Sequence, residues 1–197
     1  MQDFVTIEES VEAPIAPGQM NLRQFLIETL QTILIALVLY LLIDAVVARV
    51  RVENISMEPT LVQGEFVLVN KLAYRFGEMR RGDIVVFHYP LDPDEDYIKR
   101  IIGLPGDNIE VHHGQVFVND QGLDEEAYLI TPTLYTGEWM VEDGTVFVLG
   151  DNRNRSSDSH DWGTVPIVNI VGKATLIYWP FTDITTLSLP ADLLTGS

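Results

Sequence analysis

A serine and a lysine in two short segments are the residues of this sequence best placed to carry out chemistry. Ser56 lies in the segment Asn54–Leu61, and Lys99 lies inside the apolar run Tyr97–Ile102. A serine hydroxyl is a poor nucleophile until a neighbouring base takes its proton. A lysine buried among apolar neighbours is disfavoured in its charged form, so its pKa falls and it can act as that base. The pair would suit hydrolysis through an acyl intermediate.

Each residue has a more ordinary interpretation when taken alone. Most serines ahead of a proline-containing turn are structural, and a lysine in a strand is usually a solvated edge residue. An ordinary lysine would cost roughly 4.6 kcal/mol to deprotonate at pH 7. Lys99 can therefore serve as a base only where burial removes much of that cost.

A third segment, Gly150–Gly163, is strongly polar and follows the strand-like run Val146–Leu149. Its ordinary interpretation is a charged surface loop. The polar residues of interest in it are Asp151, Arg153, Ser156, Asp158 and His160.

Short β-strands are the elements that would position these segments. The chain after the first 50 residues consists of runs rich in Val, Ile, Phe and Tyr, separated by Gly, Pro, Asp and Asn, which predicts a mostly β, antiparallel domain. His112–Gln115 is predicted to be a hairpin loop and Leu104–Asp107 a turn. The predicted strands are Phe66–Asn70, Asp83–His88, Tyr97–Ile102, Asn108–Val111, Val116–Val118, Thr145–Leu149 and Val168–Trp179.

An apolar run near the N-terminus predicts a single transmembrane helix. Phe25–Val47 would be about 34 Å long as a helix, enough to cross a hydrocarbon core of about 30 Å. Glu28 and Asp44 lie near its ends, where carboxylates can reach the headgroups. A cleavable signal peptide is less well matched, because Arg23 is the one basic residue ahead of the run.

These observations predict the organisation of the chain. Arg49 and Arg51 follow the helix, and the positive-inside rule alone would place the C-terminal side in the cytoplasm, but long domains are translocated largely regardless of such charges. We therefore expect a cell-membrane protein with its catalytic domain on the extracytoplasmic side. The predicted parts are a disordered cytoplasmic tail (1–21), a transmembrane helix (22–48), a catalytic β domain (49–183) with a small β insertion (about 107–145), and a C-terminal tail (184–197).

Composition excludes several classes of function. The formal net charge of −17 argues against nucleic-acid binding, which needs clustered Lys and Arg. The absence of cysteine excludes disulfides, a thiolate zinc site and a cysteine nucleophile.

Together, the three segments resemble the signature of bacterial type I signal peptidases. Ser-Met-x-Pro-Thr-Leu begins at Ser56, Lys-Arg-x-x-Gly-x-Pro-Gly-Asp begins at Lys99, and Gly-Asp-Asn-Arg-x-x-Ser-x-Asp-Ser begins at Gly150. Leu68–Tyr74 and Arg81–Phe87 resemble intervening segments of that family, so the similarity covers roughly residues 25–180. It implies a membrane-bound serine endopeptidase that removes N-terminal signal peptides from exported preproteins by a Ser-Lys dyad.

The resemblance also implies roles for individual residues. Ser56 would be the nucleophile, Lys99 the general base, and the Ser156 hydroxyl would orient the lysine amine. The Ser56 backbone N–H would be one oxyanion donor, and the amide of Asn54, where part of the family has a hydroxyl, could be another. His160 stands where the family sometimes has arginine and could still contact Asp158. The residues expected to support the site are Arg100, Asp151, Arg153 and Asp158.

The implied partners are exported preproteins, cleaved after small residues, and the lipid bilayer; no cofactor and no metal are expected. The substrate would bind as an extended strand whose side chains enter shallow apolar pockets. Met57, beside the nucleophile, could also touch the lipid surface. The possible pocket residues are Ile55, Met57, Ile84, Val86 and Ile98.

Four alternatives compete with this interpretation. A Ser-His-Asp hydrolase could use one of the histidines, but no Gly-x-Ser-x-Gly motif occurs, and we expect all four histidines at the surface. A metal hydrolase would be expected to carry a motif such as His-Glu-x-x-His. A Ser-Lys autoprotease of the SOS repressor type would carry a DNA-binding segment and no membrane anchor. A non-enzymatic β domain on a membrane anchor, binding secreted proteins, remains the alternative from another class.

Overall fold

The computed structural model describes residues 21–187. The predicted N-terminal tail up to residue 20, and the C-terminal residues 188–197, lie outside the described residues. The described residues divide into two compact units, with the boundary between Leu41 and Leu42.

The first element is the long helix α1, Leu22–Val46, which spans the whole first unit from residue 22 onwards. It is the one helix in residues 21–187 that is long and apolar enough to cross a membrane, with a mean hydropathy of 2.3 in its most apolar window. None of its residues is buried. The helix ends two residues before the predicted boundary, because Val47 and Ala48 already pair with strand residues Asn70 and Val69.

The second unit is mostly antiparallel β, as predicted. Its main sheet has the strand order β1-β2-β11-β3-β4-β9-β10, with β12 paired to β11, and a smaller sheet has the order β7-β6-β5-β8. The strands are β1 Val47–Arg51, β2 Phe66–Asn70, β3 Ile84–Tyr89, β4 Asp92–Gly103, β5 Asn108–His112, β6 Gln115–Val118, β7 Gln121–Gly122, β8 Gly137–Met140, β9 Thr145–Leu149, β10 Val165–Pro166, β11 Ile170–Trp179 and β12 Thr185–Thr186.

Short helical turns complete the unit. These are α2, Ala73–Phe76; α3, Ser159–Trp162; and the 3-10 turns Arg153–Arg155 and Ile167–Asn169. The predicted hairpin loop at 112–115 is confirmed, with His113 and Gly114 both at positive φ as a two-residue turn requires. The predicted start of a C-terminal tail at residue 184 is wrong, since β12 pairs with Leu176 and Ile177 of β11.

All seven predicted strands exist; β4 extends furthest beyond its predicted bounds, and β11 begins two residues later than predicted. β4 begins at Asp92, five residues before the predicted start, because its exposed acidic first half pairs with the end of β3. Asp92–Asp96 contains a proline and four acids, so its composition gave no strand signal. The strands missed were β1, β7, β8, β10 and β12.

Both faces of the main sheet are covered where β4 crosses it. The six residues Ile98–Gly103 are all buried. Ile98 packs in one apolar cluster with Met57 and Val86, while Ile101 packs in another with Val85 and Phe87. A lysine in this half of β4 is therefore surrounded by protein.

Candidate active site

Ser56 lies on a tight turn that is anchored in the core. Met57 and Leu61 are fully buried, and the Leu61 backbone N–H donates to the Met57 carbonyl oxygen at 2.9 Å. The prediction that Met57 contacts lipid is wrong, because its side chain fills the core beneath the turn. The buried anchor leaves Ser56 near the surface, with 6% of its area exposed.

Lys99 reaches this serine from β4. It pairs with Val85 of β3 in the sheet register, and its Nζ lies 2.8 Å from Ser56 Oγ. The lysine is buried, with 2% of its area exposed. The fold thus brings together the two residues that sequence reasoning singled out, although 43 positions separate them.

The environment of Lys99 lowers the pKa of its amine. Burial lowers the pKa of Lys99 to about 8, while the negative charges of Asp158 and Asp151 act in the opposite direction. The face of the Tyr97 ring lies 5.4 Å from Nζ. A buried amine with a pKa near neutrality can exchange a proton with a neighbouring hydroxyl.

Asn54 holds the serine hydroxyl in a resting orientation. Its Oδ1 accepts the Ser56 hydroxyl at 2.7 Å and the Ser56 backbone N–H at 3.2 Å. Because the single hydroxyl proton points to Asn54, the Lys99 amine is the donor in its contact with Ser56 Oγ. The structure therefore shows Asn54 as an acceptor, whereas the sequence suggested that its amide could donate to an oxyanion.

The start of the third segment is fixed against the backbone around Ser56. The Asn152 backbone N–H donates to the Ser56 carbonyl oxygen at 3.0 Å, and Asn152 Nδ2 donates to the Ile55 carbonyl oxygen at 3.1 Å. A Cβ at Gly150 would collide with Ser156 Oγ and with the Ser56 carbonyl oxygen. This close approach requires glycine at position 150. Sequence reasoning missed Asn152, whose only local signal was its place in the third segment.

The Ser156 hydroxyl is buried within this segment. Its Oγ has no hydrogen-bond partner among the described residues. The predicted contact between this hydroxyl and the Lys99 amine is therefore not formed in the structure. A buried hydroxyl without a partner carries a desolvation cost, which is unusual in a folded domain.

Arg100 and Asp151 form a buried ion pair beside the site. Arg100 Nε lies 2.7 Å from Asp151 Oδ1, and Arg100 Nη1 donates to the Gly82 carbonyl oxygen at 2.8 Å. The guanidinium also lies 4.1 Å above the ring of Tyr128. Both charged residues are at least 98% buried, so each depends on the other for compensation.

A second buried pair joins Arg153 to Glu125. Arg153 Nη1 lies 3.1 Å from Glu125 Oε2, and Nη2 is close to the other carboxylate oxygen. Arg153 Nε donates to the Gly150 carbonyl oxygen at 3.1 Å, and Tyr128 Oη donates to Glu125 at 3.0 Å. Sequence reasoning missed Glu125 and Tyr128, because their segment carries no motif of its own.

Asp158 is fully buried and has a partner on each oxygen. Its Oδ2 accepts the Gly150 backbone N–H at 2.9 Å, and its Oδ1 lies 2.6 Å from His160 Nδ1. The neighbouring Ser159 hydroxyl accepts the Val148 backbone N–H at 3.0 Å. The expectation that every histidine lies at the surface is wrong for His160, whose side chain is 16% exposed.

A groove of about 540 Å³ opens beside Asn54. The first wall consists of Val50, Arg51, Glu53 and Asn54, and the second of Val86 and the β4 residues 95–98.

Of the predicted pocket residues, two line this groove and three do not. Val86 and Ile98 belong to its apolar part. Ile84 instead lines a separate cavity of about 130 Å³ with Arg100 and Tyr128. Ile55 is half-buried and is not among the residues lining the groove, and Met57 belongs to the core.

No group of histidine, aspartate and glutamate residues within 21–187 is arranged to hold a metal ion. A buried lysine amine on a serine hydroxyl is, chemically, the arrangement of a nucleophile with a base. The class that the β fold and this site define is thus a hydrolase whose chain also carries one apolar helix.

Comparison with known proteins identifies the family. Residues 26–179 match the family described as signal peptidase, peptidase S26. The chain is 43% identical over 165 residues to a probable signal peptidase I-1 of Synechocystis, covering 80% of this chain and 84% of that protein. It is 41% identical over 174 residues to a signal peptidase I of Leptolyngbya laminosa, covering 84% and 85%. The chain belongs to the signal peptidase family, peptidase S26, and is a serine peptidase.

A solved structure also aligns with part of the chain. It is a crystal structure of a signal peptidase I from Enterococcus faecalis, with 31% identity and a TM-score of 0.40. The alignment covers 49% of this chain and 96% of that one.

Proposed function

We propose that this protein is a membrane-anchored signal peptidase I that removes signal peptides from exported preproteins, with Ser56 as nucleophile and Lys99 as general base. The observation that carries the proposal is the 2.8 Å contact between Lys99 Nζ and Ser56 Oγ in a buried site. With a pKa of about 8, roughly a tenth of the Lys99 amine is neutral at pH 7. An unperturbed lysine would supply roughly two hundred times less neutral amine.

The chemistry follows from this contact. When the amine is neutral, the Ser56 hydroxyl turns its proton from Asn54 towards Lys99. The proton passes to Nζ as Oγ bonds to the scissile carbonyl carbon, and Lys99 returns it to the leaving amine as the peptide C–N bond breaks. Water then loses a proton to Lys99 and attacks the acyl carbon, and the proton returns to Ser56 Oγ as the ester bond breaks. These steps need no cofactor.

Charge on the carbonyl oxygen would be stabilised by the Ser56 backbone N–H. In the resting site this N–H bonds to Asn54 Oδ1 at 3.2 Å, a long contact that a substrate carbonyl could replace. Asn54 is exposed, so its amide is free to rotate and present Nδ2 to the same oxygen. Asn54 would then act as an acceptor before substrate binds and as a donor during the reaction.

The groove supports binding of an extended substrate. The ladder between β4 and β9 begins at Arg100, so the edge of β4 ahead of Lys99 that faces away from β3 pairs with no strand among residues 21–187. An extended peptide placed in the groove could hydrogen-bond to this edge, as in strand addition. Val86 and Ile98 provide apolar surface there, which suits the small side chains expected before the cut.

The remaining site residues are proposed to support this pair. Arg100 and Asp151 brace β4 against the third segment, while Arg153 and Asp158 hold the two polar backbone groups of Gly150. We propose that the Ser156 hydroxyl turns to orient the Lys99 amine once substrate displaces the resting contacts. Its lack of any other partner among the described residues supports this role.

The helix α1 is proposed to anchor the enzyme in the cell membrane, with the catalytic domain on the extracytoplasmic side. This orientation agrees with preprotein substrates that are cleaved during export. The proposed parts of the chain are the cytoplasmic tail, the anchor helix and the β domain with its insertion, which corresponds to the small sheet between Asn108 and Met140.

The test uses the full chain in detergent with a preprotein carrying an Ala-x-Ala site. Ser56→Ala and Lys99→Ala should each abolish cleavage, whereas Lys71→Ala, at a lysine that bonds to the Asp44 carbonyl oxygen, should not. Mass spectrometry of the products locates the cut. Equal cleavage by Ser56→Ala or Lys99→Ala would refute the dyad, and binding of preproteins without cleavage would favour the non-enzymatic binding domain.

A further inference from the structure

His160 is held in one orientation next to the site. Its Nδ1 lies 2.6 Å from Asp158 Oδ1, and its Nε2 lies 3.1 Å from Asp161 Oδ1. The ring stacks on Tyr135 with a centroid distance of 3.9 Å and an angle of 6° between the planes. Both ring nitrogens therefore face carboxylates, and the protonated ring can donate to both.

Asp158 connects this histidine to the backbone beside Ser56, because it accepts the Gly150 N–H and a Cβ on Gly150 would collide with the Ser56 carbonyl oxygen. It is fully buried, and its second oxygen accepts the Gly150 backbone N–H. Burial lowers the pKa of Lys99, and the negative charge of Asp158 has the largest effect in the opposite direction. A change in the charge of the Asp158–His160 pair therefore changes the pKa of the Lys99 amine.

We propose that His160 sets the charge that Asp158 presents to Lys99, and so acts as a positioning residue that determines how much of the base is neutral. With His160 protonated, the pair is neutral overall and does little to retain the lysine proton. With His160 neutral, the pair carries a full negative charge and favours the lysine ammonium. An arginine at this position would keep the pair neutral at every working pH. The inference rests on the proposed role of Lys99 as general base.

Several other titratable and charged groups lie around His160. Asp161 faces Nε2, the Tyr135 ring lies against the face of the imidazole, and the Arg153–Glu125 pair lies near Tyr135. Burial raises the pKa of Tyr135, so this phenol stays neutral. Burial lowers the pKa of His160, but the hydrogen bond and charge of Asp158, together with Asp161, outweigh it and raise the pKa above the ordinary value. His160 is thus a titratable group in direct contact with Asp158.

When two ionisable groups oppose each other's protonation, their titration extends over a wider pH range than that of either group alone. The test is the pH dependence of kcat/KM for preprotein cleavage by the full chain, His160→Arg and His160→Gln. The arginine variant should show a one-proton rise with its midpoint at lower pH, and the glutamine variant a one-proton rise at higher pH. The kcat/KM of the unmodified enzyme should match that of the arginine variant at low pH and that of the glutamine variant at high pH. Below both midpoints, the arginine variant should be faster than the glutamine variant by roughly threefold or more.

His112→Arg is the control for added positive charge. It introduces the same charge on β5, away from Asp158, and should leave the midpoint unchanged. If His160→Arg does not fold, His160→Gln still decides the question, because it should lose activity relative to the unmodified enzyme at low pH and not at high pH. The inference would be overturned if the pH dependence of kcat/KM were the same for the unmodified enzyme and for each His160 variant that folds. Cleavage by Lys99→Ala would overturn the proposed base itself, and with it this inference.

Discussion

Two neighbours bond to the Ser56 hydroxyl in opposite senses, one as an acceptor and one as a donor. Asn54 Oδ1 accepts it at 2.7 Å, and Lys99 Nζ approaches the same oxygen as a donor at 2.8 Å. With a pKa of about 8, Lys99 is mostly an ammonium at pH 7, so this donor arrangement is the expected resting state. In the proposed mechanism, activation therefore combines the loss of one lysine proton with a rotation of the Ser56 hydroxyl.

The substitution Ser156→Ala should lower activity without lowering stability. Its buried hydroxyl has no partner among the described residues, so Ser156→Ala should leave the melting temperature unchanged or higher. The same change should lower kcat by about 10- to 100-fold, because a misplaced base loses its alignment with the nucleophile. Thermal melts and single-turnover cleavage of the same preparation measure the two effects.

Ser157→Ala is the matched control, since this neighbouring serine is exposed. It should change neither quantity. A Ser156→Ala enzyme with full kcat would show that the hydroxyl does not orient Lys99 at any stage of the reaction.

At the scale of elements, the segment between β7 and β8 supports the site from outside the three motifs. Glu125 compensates Arg153, and Tyr128 both donates to Glu125 and lies against the Arg100 guanidinium. Arg153 in turn holds the Gly150 carbonyl oxygen. The insertion is thus connected to the catalytic strands through two buried cations.

Glu125→Gln should destabilise the fold and reduce activity together. The change leaves Arg153 as a buried cation without a counter-charge, which costs about 3 kcal/mol or more. We expect a fall in melting temperature of several degrees and a parallel loss of cleavage. Glu126→Gln, at the exposed neighbouring position, should have no such effect on either measurement. An unchanged melting temperature for Glu125→Gln would show that Arg153 is compensated by another group.

Local composition accounts for what could be predicted of these elements. The strands rich in Val and Ile were predictable because burial on a pleated surface selects such residues. β1 was not, because it continues from the helix without a turn residue, and β8 was not, because Gly137–Met140 has only two large apolar residues.

The site was predictable to a similar extent. Ser56 and Lys99 could be found because they stand in motifs. Other residues of the site could not be found, because their partners lie far away in the sequence and local patterns do not indicate such contacts. These residues are Glu125, Tyr128 and Asn152. The orientation of Asn54 depends on its hydrogen bonds with Ser56, which only coordinates show.

At the scale of the whole molecule, the absence of cysteine makes the proposed orientation directly testable. A single cysteine introduced as Glu126→Cys should react with a membrane-impermeant maleimide in intact cells. A cysteine introduced as Gln2→Cys, ahead of the helix in the sequence, should react only after lysis. Gel-shift labelling of the two variants measures this difference.

Labelling after lysis is the control for both variants, because it shows that each cysteine can react. The opposite pattern, with Gln2→Cys labelled in intact cells and Glu126→Cys protected, would place the catalytic domain in the cytoplasm. It would also agree with the positive-inside preference of Arg49 and Arg51.

The bond between the Asn152 N–H and the Ser56 carbonyl oxygen has a consequence for biosynthesis. Ribosomes make the chain from the N-terminus, so the nucleophile emerges long before Lys99, and Lys99 long before Asn152 and Asp158. Before Lys99 has been made, the chain therefore has Ser56 without the proposed base. After Lys99 has been made, it still lacks the segment that bonds to the backbone of Ser56. In the proposed mechanism, a nascent chain is thus inactive until residues 150–159 have been made and can fold against Ser56.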